Sequence, residues 1–279
     1  MRKFTIIILL MFVLSSFGFA QNDPPLKINY VSSLDKAFEM AKKEKKNVFV
    51  DFYTDWCHWC KVYEKEVFSD QEVIKYLSEK FVIAKINGDM NRVATMKYNV
   101  SSYPHLVFLT SDNKELGRIK GYAPKDVFLK ECEKVLSVLD LMKTVEENPD
   151  DIKASYSLGK IYFDQEKFEE LIPLFNKVLD SKDEFISDKM EELYTKLGAS
   201  YINTGDQDKG ALFIEKSVNQ FKEGEYREIN VYNLVIMFAR MNNKDKANVY
   251  LDIYEKDYPD GRFKDKISMI RMLLKKESM

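Results

Sequence analysis

Residues 48–61 read Val-Phe-Val-Asp-Phe-Tyr-Thr-Asp-Trp-Cys-His-Trp-Cys-Lys. A β-rich run carrying one charge, Asp51, ends in a short turn. Two cysteines, Cys57 and Cys60, then follow with two residues between them. This order predicts a strand that feeds directly into a helix. The spacing puts both sulfurs within one helical turn, where they can close or open a disulfide. The whole chain has 3 cysteines, too few for a structural disulfide framework, so the pair reads as an exchange site. A permanent disulfide or half of a zinc site are the alternatives. Zinc would want two further ligands, and no second Cys-x-x-Cys exists.

The N-terminus reads as a targeting segment. Arg2 and Lys3 precede an apolar stretch, Phe4 to Leu14, broken only by Thr5. Gly18 and Ala20 then stand where a cleavage site wants small residues. The stretch is about half a membrane span, which favours a cleaved leader over residues 1–20 and no stable membrane insertion afterwards. The expected location is extracytoplasmic, across the inner membrane in the periplasm, where disulfide chemistry is permitted. Net charge is -2, so nothing favours a nucleic-acid partner. The run Lys42-Lys43-Glu44-Lys45-Lys46 reads as a solvated helix end rather than a basic patch.

The stretch 27–140 alternates strands and helices before ending in a hairpin and a helix. Ser32 or Ser33 caps a helix carrying Leu34, Ala37, Phe38 and Ala41. Strands are predicted at 48–53 and 81–86, with helices from Cys57 through Glu66 and after Ser69 or Asp70. A short helix spans 91–98, and Pro104 opens a strand at 105–109. Asp112-Asn113 turns a hairpin into 116–121. Pro124 starts a last helix whose apolar face is Phe128, Leu129, Cys132, Val135, Leu136 and Leu139. The order implies a mixed sheet flanked by helices.

Together, Val50-Asp51-Phe52, Trp56-Cys57-x-x-Cys60-Lys61, Lys85-Ile86-Asn87 and Tyr103-Pro104 on this order of elements resemble the thioredoxin-like superfamily. The Trp-Cys-x-Trp-Cys form is similar to its extracytoplasmic thiol–disulfide oxidoreductases. The resemblance implies an enzyme with Cys57 as nucleophile and Cys60 as resolver. It makes Asp51 a proton acceptor partnered by Lys85, and Pro104 a cis proline beside the disulfide. Tyr103 and Trp56 would contact the incoming chain, as would His58 and Trp59, which stand where cytosolic thioredoxin has Gly-Pro. The only redox centre implied is the Cys57–Cys60 disulfide, without a metal or separate cofactor. The implied substrates are protein thiols and disulfides, by reduction or isomerisation.

Cys57 at a helix N-terminus meets free N–H groups and the positive dipole end. These favour its thiolate by at most about 2 kcal/mol, enough to bring the thiol from about 8.5 towards neutrality. Cys60, one turn on, is expected to be deeper and less exposed. Asp51 in a strand covered on both faces is costly to ionise, so its pKa is expected to rise. It could then take the proton of Cys60. The plainer alternative is an aspartate that only caps the following turn. Trp56 is expected to shield the helix, and Trp59 either forms an apolar platform or packs inward. His105 reads as a strand residue and Cys132 as a buried core thiol.

After Asn148-Pro149-Asp150-Asp151 the strand signals stop. Leu158-Gly159-x-x-Tyr162, Leu197-Gly198-x-x-Tyr201 and Leu234-x-x-x-Phe238 each precede a second amphipathic segment. The layout resembles degenerate tetratricopeptide-like repeats over 145–279, stepping a little beyond the usual period of about 34 residues. Such stacks grip a protein or peptide partner. The competing overall reading is a secreted protein-binding scaffold whose thioredoxin-like part is not catalytic. Intact Cys57, Cys60, Asp51, Lys85 and Pro104 weigh against it.

Overall fold

The computed structural model describes residues 25–276, with side chains to residue 274. The leader expected at residues 1–20 lies outside them. The first unit runs β1 (Tyr30–Val31), α1 (Leu34–Glu44), β2 (Asn47–Tyr53), α2 (His58–Glu66), α3 (Gln71–Lys80), β3 (Phe81–Asn87), α4 (Arg92–Lys97), β4 (His105–Leu109), β5 (Glu115–Lys120) and α5 (Lys125–Glu147). The sheet order is β1-β3-β2-β4-β5. β1, β2 and β3 are parallel, while β4 and β5 join antiparallel. Only β1, with 2 residues, escaped the sequence reading, because two residues cannot show alternation.

The alternating pleat of the strands sorts their side chains. Phe49 on β2 and Phe81 and Ile83 on β3 join Tyr63, Leu77 and Phe128 in the core under α2, α3 and α5. Val48, Val50, Phe52, Val82, Ala84 and Ile86 face the opposite core with Ala37, Ala41 and Ala94. By the same parity Asp51 and Lys85 fall on the α2 side. They are register partners on neighbouring strands. The expected caps form: the Lys36 N–H donates to Ser33 Oγ and the Glu72 N–H to Asp70 Oδ1.

The second unit is all-helical: α6 (Ile152–Asp164), α7 (Phe168–Ser181), a 3₁₀ turn (Glu184–Lys189), α8 (Met190–Asn203), α9 (Gln207–Gln220), α10 (Arg227–Arg240), α11 (Lys244–Asp257) and α12 (Lys264–Lys276). It is helical-repeat-like. At every second inter-helix turn (α6–α7, α8–α9, α10–α11) the N–H groups of Lys167, Asp206 and Asn243 donate to the Tyr162, Tyr201 and Phe238 carbonyl oxygens at 2.8, 2.9 and 2.8 Å. Each turn carries a left-handed residue, Glu166, Gly205 and Asn242 in order. Gly159 and Gly198 let paired helices close up: a Cβ on Gly159 would lie 2.2 Å from Phe175, and one on Gly198 2.7 Å from Ile214.

No linker separates the units. The interval between the boundaries at 140 and 145 lies inside α5, whose Leu141, Met142 and Val145 continue its apolar stripe. Leu158 of α6 belongs to the same core as Phe128. Gln165 Nε2 and Lys167 Nζ also donate to the Leu116 and Glu115 oxygens of the edge strand at 3.0 and 2.6 Å. These side chains cover part of an otherwise unpaired strand edge.

Candidate active site

Cys57 is the N-cap residue of α2, with extended backbone. Its Sγ accepts the Cys60 N–H at 3.0 Å. No acidic residue stands in the first turn of α2, so nothing there offsets the positive dipole end. Cys57 and Cys60 form a disulfide, with Cα atoms 5.3 Å apart.

The expected order of exposure is reversed. Cys57 is 3% exposed and Cys60 8%. Cys57 Sγ is turned onto the helix end, where it meets Cys60 Sγ and the Cys60 N–H. Cys60 instead opens sideways onto a cleft of about 320 Å³ lined by Asp51, Thr54, Asp55, Glu64 and Lys85 among others.

Asp51 is 4% exposed. Burial pushes its carboxyl up from 3.8 to about 7; Lys85 pulls it back and Glu64 pushes it further. The carboxyl is therefore poised to exchange a proton near neutral pH, across the cleft from Cys60. Lys85 acts on Asp51 as expected, its charge pulling the carboxyl down, and it also has a second partner. Its ammonium is ion-paired with Glu64 and lies over the rings of Tyr30 and Tyr53, at 4.7 and 5.0 Å from their centroids. The cause is helix geometry. Glu64 stands one turn after Cys60 on α2, and its side chain reaches the more open Lys85 before the sheet-buried Asp51 can. Glu64 was missed in the sequence, although its i+4 spacing from Cys60 was a readable signal.

Around the disulfide the aromatic residues face outward. Trp56 is 68% exposed and so does not shield the helix as expected. Its indole N–H donates to Asp89 Oδ2 at 2.9 Å, and its ring meets Tyr103 edge-on at 5.8 Å. The hydrogen bond from the turn after β3 holds the ring outward. Trp59 packs outward too, stacked on Tyr122 with centroids 5.3 Å apart. The Tyr122 hydroxyl in turn donates to Glu66 at 2.8 Å. His58 is exposed and its ring lies 5.6 Å from that of Trp59. Tyr103 precedes a cis peptide bond to Pro104, which is buried. Gly88 permits the packing of Tyr103, since a Cβ there would lie 2.0 Å from the Tyr103 hydroxyl.

His105 is fully buried on β4. Burial, then the charges of Arg118 and Lys120, push it down to about 4, so it is neutral at physiological pH. Cys132 is buried in the core under α5, and burial pushes its thiol well above the usual range. Among the described residues no cluster of three or more His, Cys, Asp or Glu could hold a metal ion. No helix of the described residues is long and apolar enough to cross a membrane.

Comparison with known proteins bears on the α/β unit. Residues 34–136 match the family model of the thioredoxin-like domain, and this part of the chain is such a domain. Thioredoxin-T of Drosophila melanogaster is 39% identical over 80 residues, which are 29% of this chain and 48% of the relative. The thiol:disulfide interchange protein DsbD of Actinobacillus pleuropneumoniae is 33% identical over 116 residues, 39% of this chain and 20% of the relative. A thioredoxin from Thermus thermophilus of known structure is 28% identical with a TM-score of 0.37, covering 39% of this chain and 88% of that one. The chain thus spans about half or less of the curated relatives it matches.

Proposed function

We propose that the chain is an extracytoplasmic thiol–disulfide oxidoreductase that reduces or isomerises protein disulfides through Cys57 and Cys60. The observation that carries this reading is the site itself. The Cys57 sulfur caps a helix, and its partner opens onto a cleft holding a carboxyl raised to about 7.

In the reduced enzyme Cys57 thiolate attacks a substrate disulfide. A mixed disulfide forms and one substrate sulfur leaves as thiolate. Cys60, giving its proton to the Asp51 carboxylate across the cleft, attacks Cys57 Sγ. The Cys57–Cys60 bond forms and the second substrate sulfur leaves. The substrate gains two electrons and leaves as two thiolates, which take up protons from Asp51 and solvent, while the pair loses two electrons and the Cys60 proton. A dithiol reductant must then restore the enzyme. In isomerisation a different substrate thiolate attacks the substrate sulfur of the mixed disulfide, forming a new substrate disulfide and releasing Cys57 as thiolate, with no net electron transfer. Trp56, His58, Trp59, Tyr103 and Pro104 surround the sulfurs and would meet the substrate chain.

The leader-like residues 1–20 and the relatives titled thiol:disulfide interchange protein support an extracytoplasmic site of action. The recurring turns and close helix pairs support a tetratricopeptide-like reading of the helical unit, as a holder of a protein or peptide. The domain limits we propose are 27–140 and 145–279, joined through α5.

The test is precipitation of insulin by dithiothreitol with wild type and with Cys57→Ser. Wild type accelerates turbidity and the variant does not. Equal curves would replace this reading with a non-catalytic scaffold.

A further inference from the structure

Among the described residues the four most exposed large apolar side chains are Met90 (85%), Val93 (75%), Met96 (70%) and Trp56 (68%). They share one region of the surface. Met90, Val93 and Met96 recur every third residue from the turn before α4 along that helix, so they form a single stripe. The hydrogen bond from Trp56 to Asp89, the residue before Met90, ties the stripe to the edge of the disulfide site. The inner face of α4 is already satisfied: Ala94 and Thr95 are 4% and 8% exposed. Core packing therefore does not account for the outer face.

We infer that Met90, Val93 and Met96 form a docking ledge for an apolar, extended segment of the polypeptide whose disulfide is exchanged at Cys57. This rests on the proposed oxidoreductase reading. The occupant follows from continuity. Cys57 is 3% exposed between two outward tryptophans, 68% and 53% exposed, so a chain that reaches its sulfur must lie against Trp56 or Trp59. A chain continuing past Trp56 runs onto the stripe, whereas a small thiol is too short to do so. The chemistry of the ledge selects the segment. Two unbranched thioethers and a small aliphatic group offer adaptable apolar area without a shaped pocket or charge. That suits many unfolded apolar sequences rather than one folded partner.

The test uses full-length protein and a cysteine-free peptide rich in Leu, Val and Phe, beside an analogue with Ser and Gln at those positions. The chain has 2 tryptophans, Trp56 and Trp59, so their fluorescence reports docking. The apolar peptide is expected to give a saturable change and the polar analogue none. In the variant Met90→Ser/Val93→Ser/Met96→Ser, binding weakens at least about tenfold. The exposure of these positions leaves the fold intact, which circular dichroism checks, and the single Val93→Lys gives an independent variant. Equal binding of both peptides, or equal binding by wild type and both variants, overturns the ledge. So does wild-type self-association that the triple substitution abolishes without any peptide binding, since the occupant is then a second copy. Peptide binding without insulin reduction would keep the stripe as an apolar peptide-docking surface but remove the oxidoreductase reading and, with it, the disulfide substrate as occupant. Reduction without peptide binding would do the reverse.

Discussion

The two units treat buried polar groups in opposite ways. In the helical unit Asn230 is fully buried, and its amide donates to Thr195 and Ser217 at 2.8 and 3.0 Å. Arg227, also buried, donates to Asp257 at 2.7 Å. These donor groups are tied to neighbours and fix how helices pack, although Asn230 Oδ1 and Arg227 Nε have no hydrogen-bond partner. In the α/β unit, burial raises the Asp51 carboxyl to about 7, with Glu64 adding to the rise and Lys85, ion-paired with Glu64, opposing it. The contrast shows where chemistry resides. A polar group held by matched partners supports the fold, whereas one that burial leaves titrating near neutrality stays ready to move a proton.

The comparison can be broken most severely at the disulfide. Cys57→Ser should lower insulin reduction by at least about a hundredfold, while thermal unfolding of the helical unit, followed by far-ultraviolet circular dichroism, keeps its cooperativity. Activity surviving in the variant would move the chemistry elsewhere.

Asp51→Asn comes next. The carboxyl is raised from 3.8 to about 7 in the folded protein, so folding favours its protonated form. Below about pH 4 the group is protonated whether folded or unfolded and has no linkage effect. Above about pH 7 it is charged in both and destabilises the fold by an amount of order 4 kcal/mol. The Asn variant should therefore exceed wild type in denaturant stability at pH 8, with the gap closing as pH falls through 7 towards 4. A gap independent of pH would show that Asp51 carries no such shift. Turnover by the variant should fall, because Cys60 loses its proton acceptor.

A smaller effect is expected in the helical unit. Gly159→Ala forces a methyl against the Phe175 ring, and should cost about 2 kcal/mol in urea unfolding without altering insulin reduction. An activity loss larger than the stability loss would couple the units through α5. The smallest effect belongs to surface pairs. Lys264→Ala removes a bond to Asp260 whose side chains are 53% and 92% exposed, and should change stability by less than about 0.5 kcal/mol.

Much of the α/β unit was legible in the sequence because its signals are local. Val48–Tyr53 shows β composition, Asp70 and Ser33 are capping residues, and the cysteine spacing sits at a strand–helix junction. The parity that places Asp51 and Lys85 on one face is also readable. What the sequence hid depends on competition between distant side chains. Lys85 has both Asp51 and Glu64 within its surroundings, and only three-dimensional packing decides which carboxylate receives it. The exposure of Cys57 was hidden for a similar reason, since it depends on how the sulfur turns onto its own helix end. In the helical unit Gly159 and Gly198 were readable as close-packing points, but the continuity of α5 across 141–144 was not. The composition changes only after Asn148, whereas the apolar stripe through Leu141, Met142 and Val145 fixes the joint.

The most direct measurement is the rate of iodoacetamide alkylation of the fully reduced chain from pH 5 to 10, with the adduct located by mass spectrometry. The account predicts that Cys57 is modified first, with a midpoint clearly below the unperturbed value of about 8.5. Modification of Cys60 ahead of Cys57, or a Cys57 midpoint at or above 8.5, would contradict it.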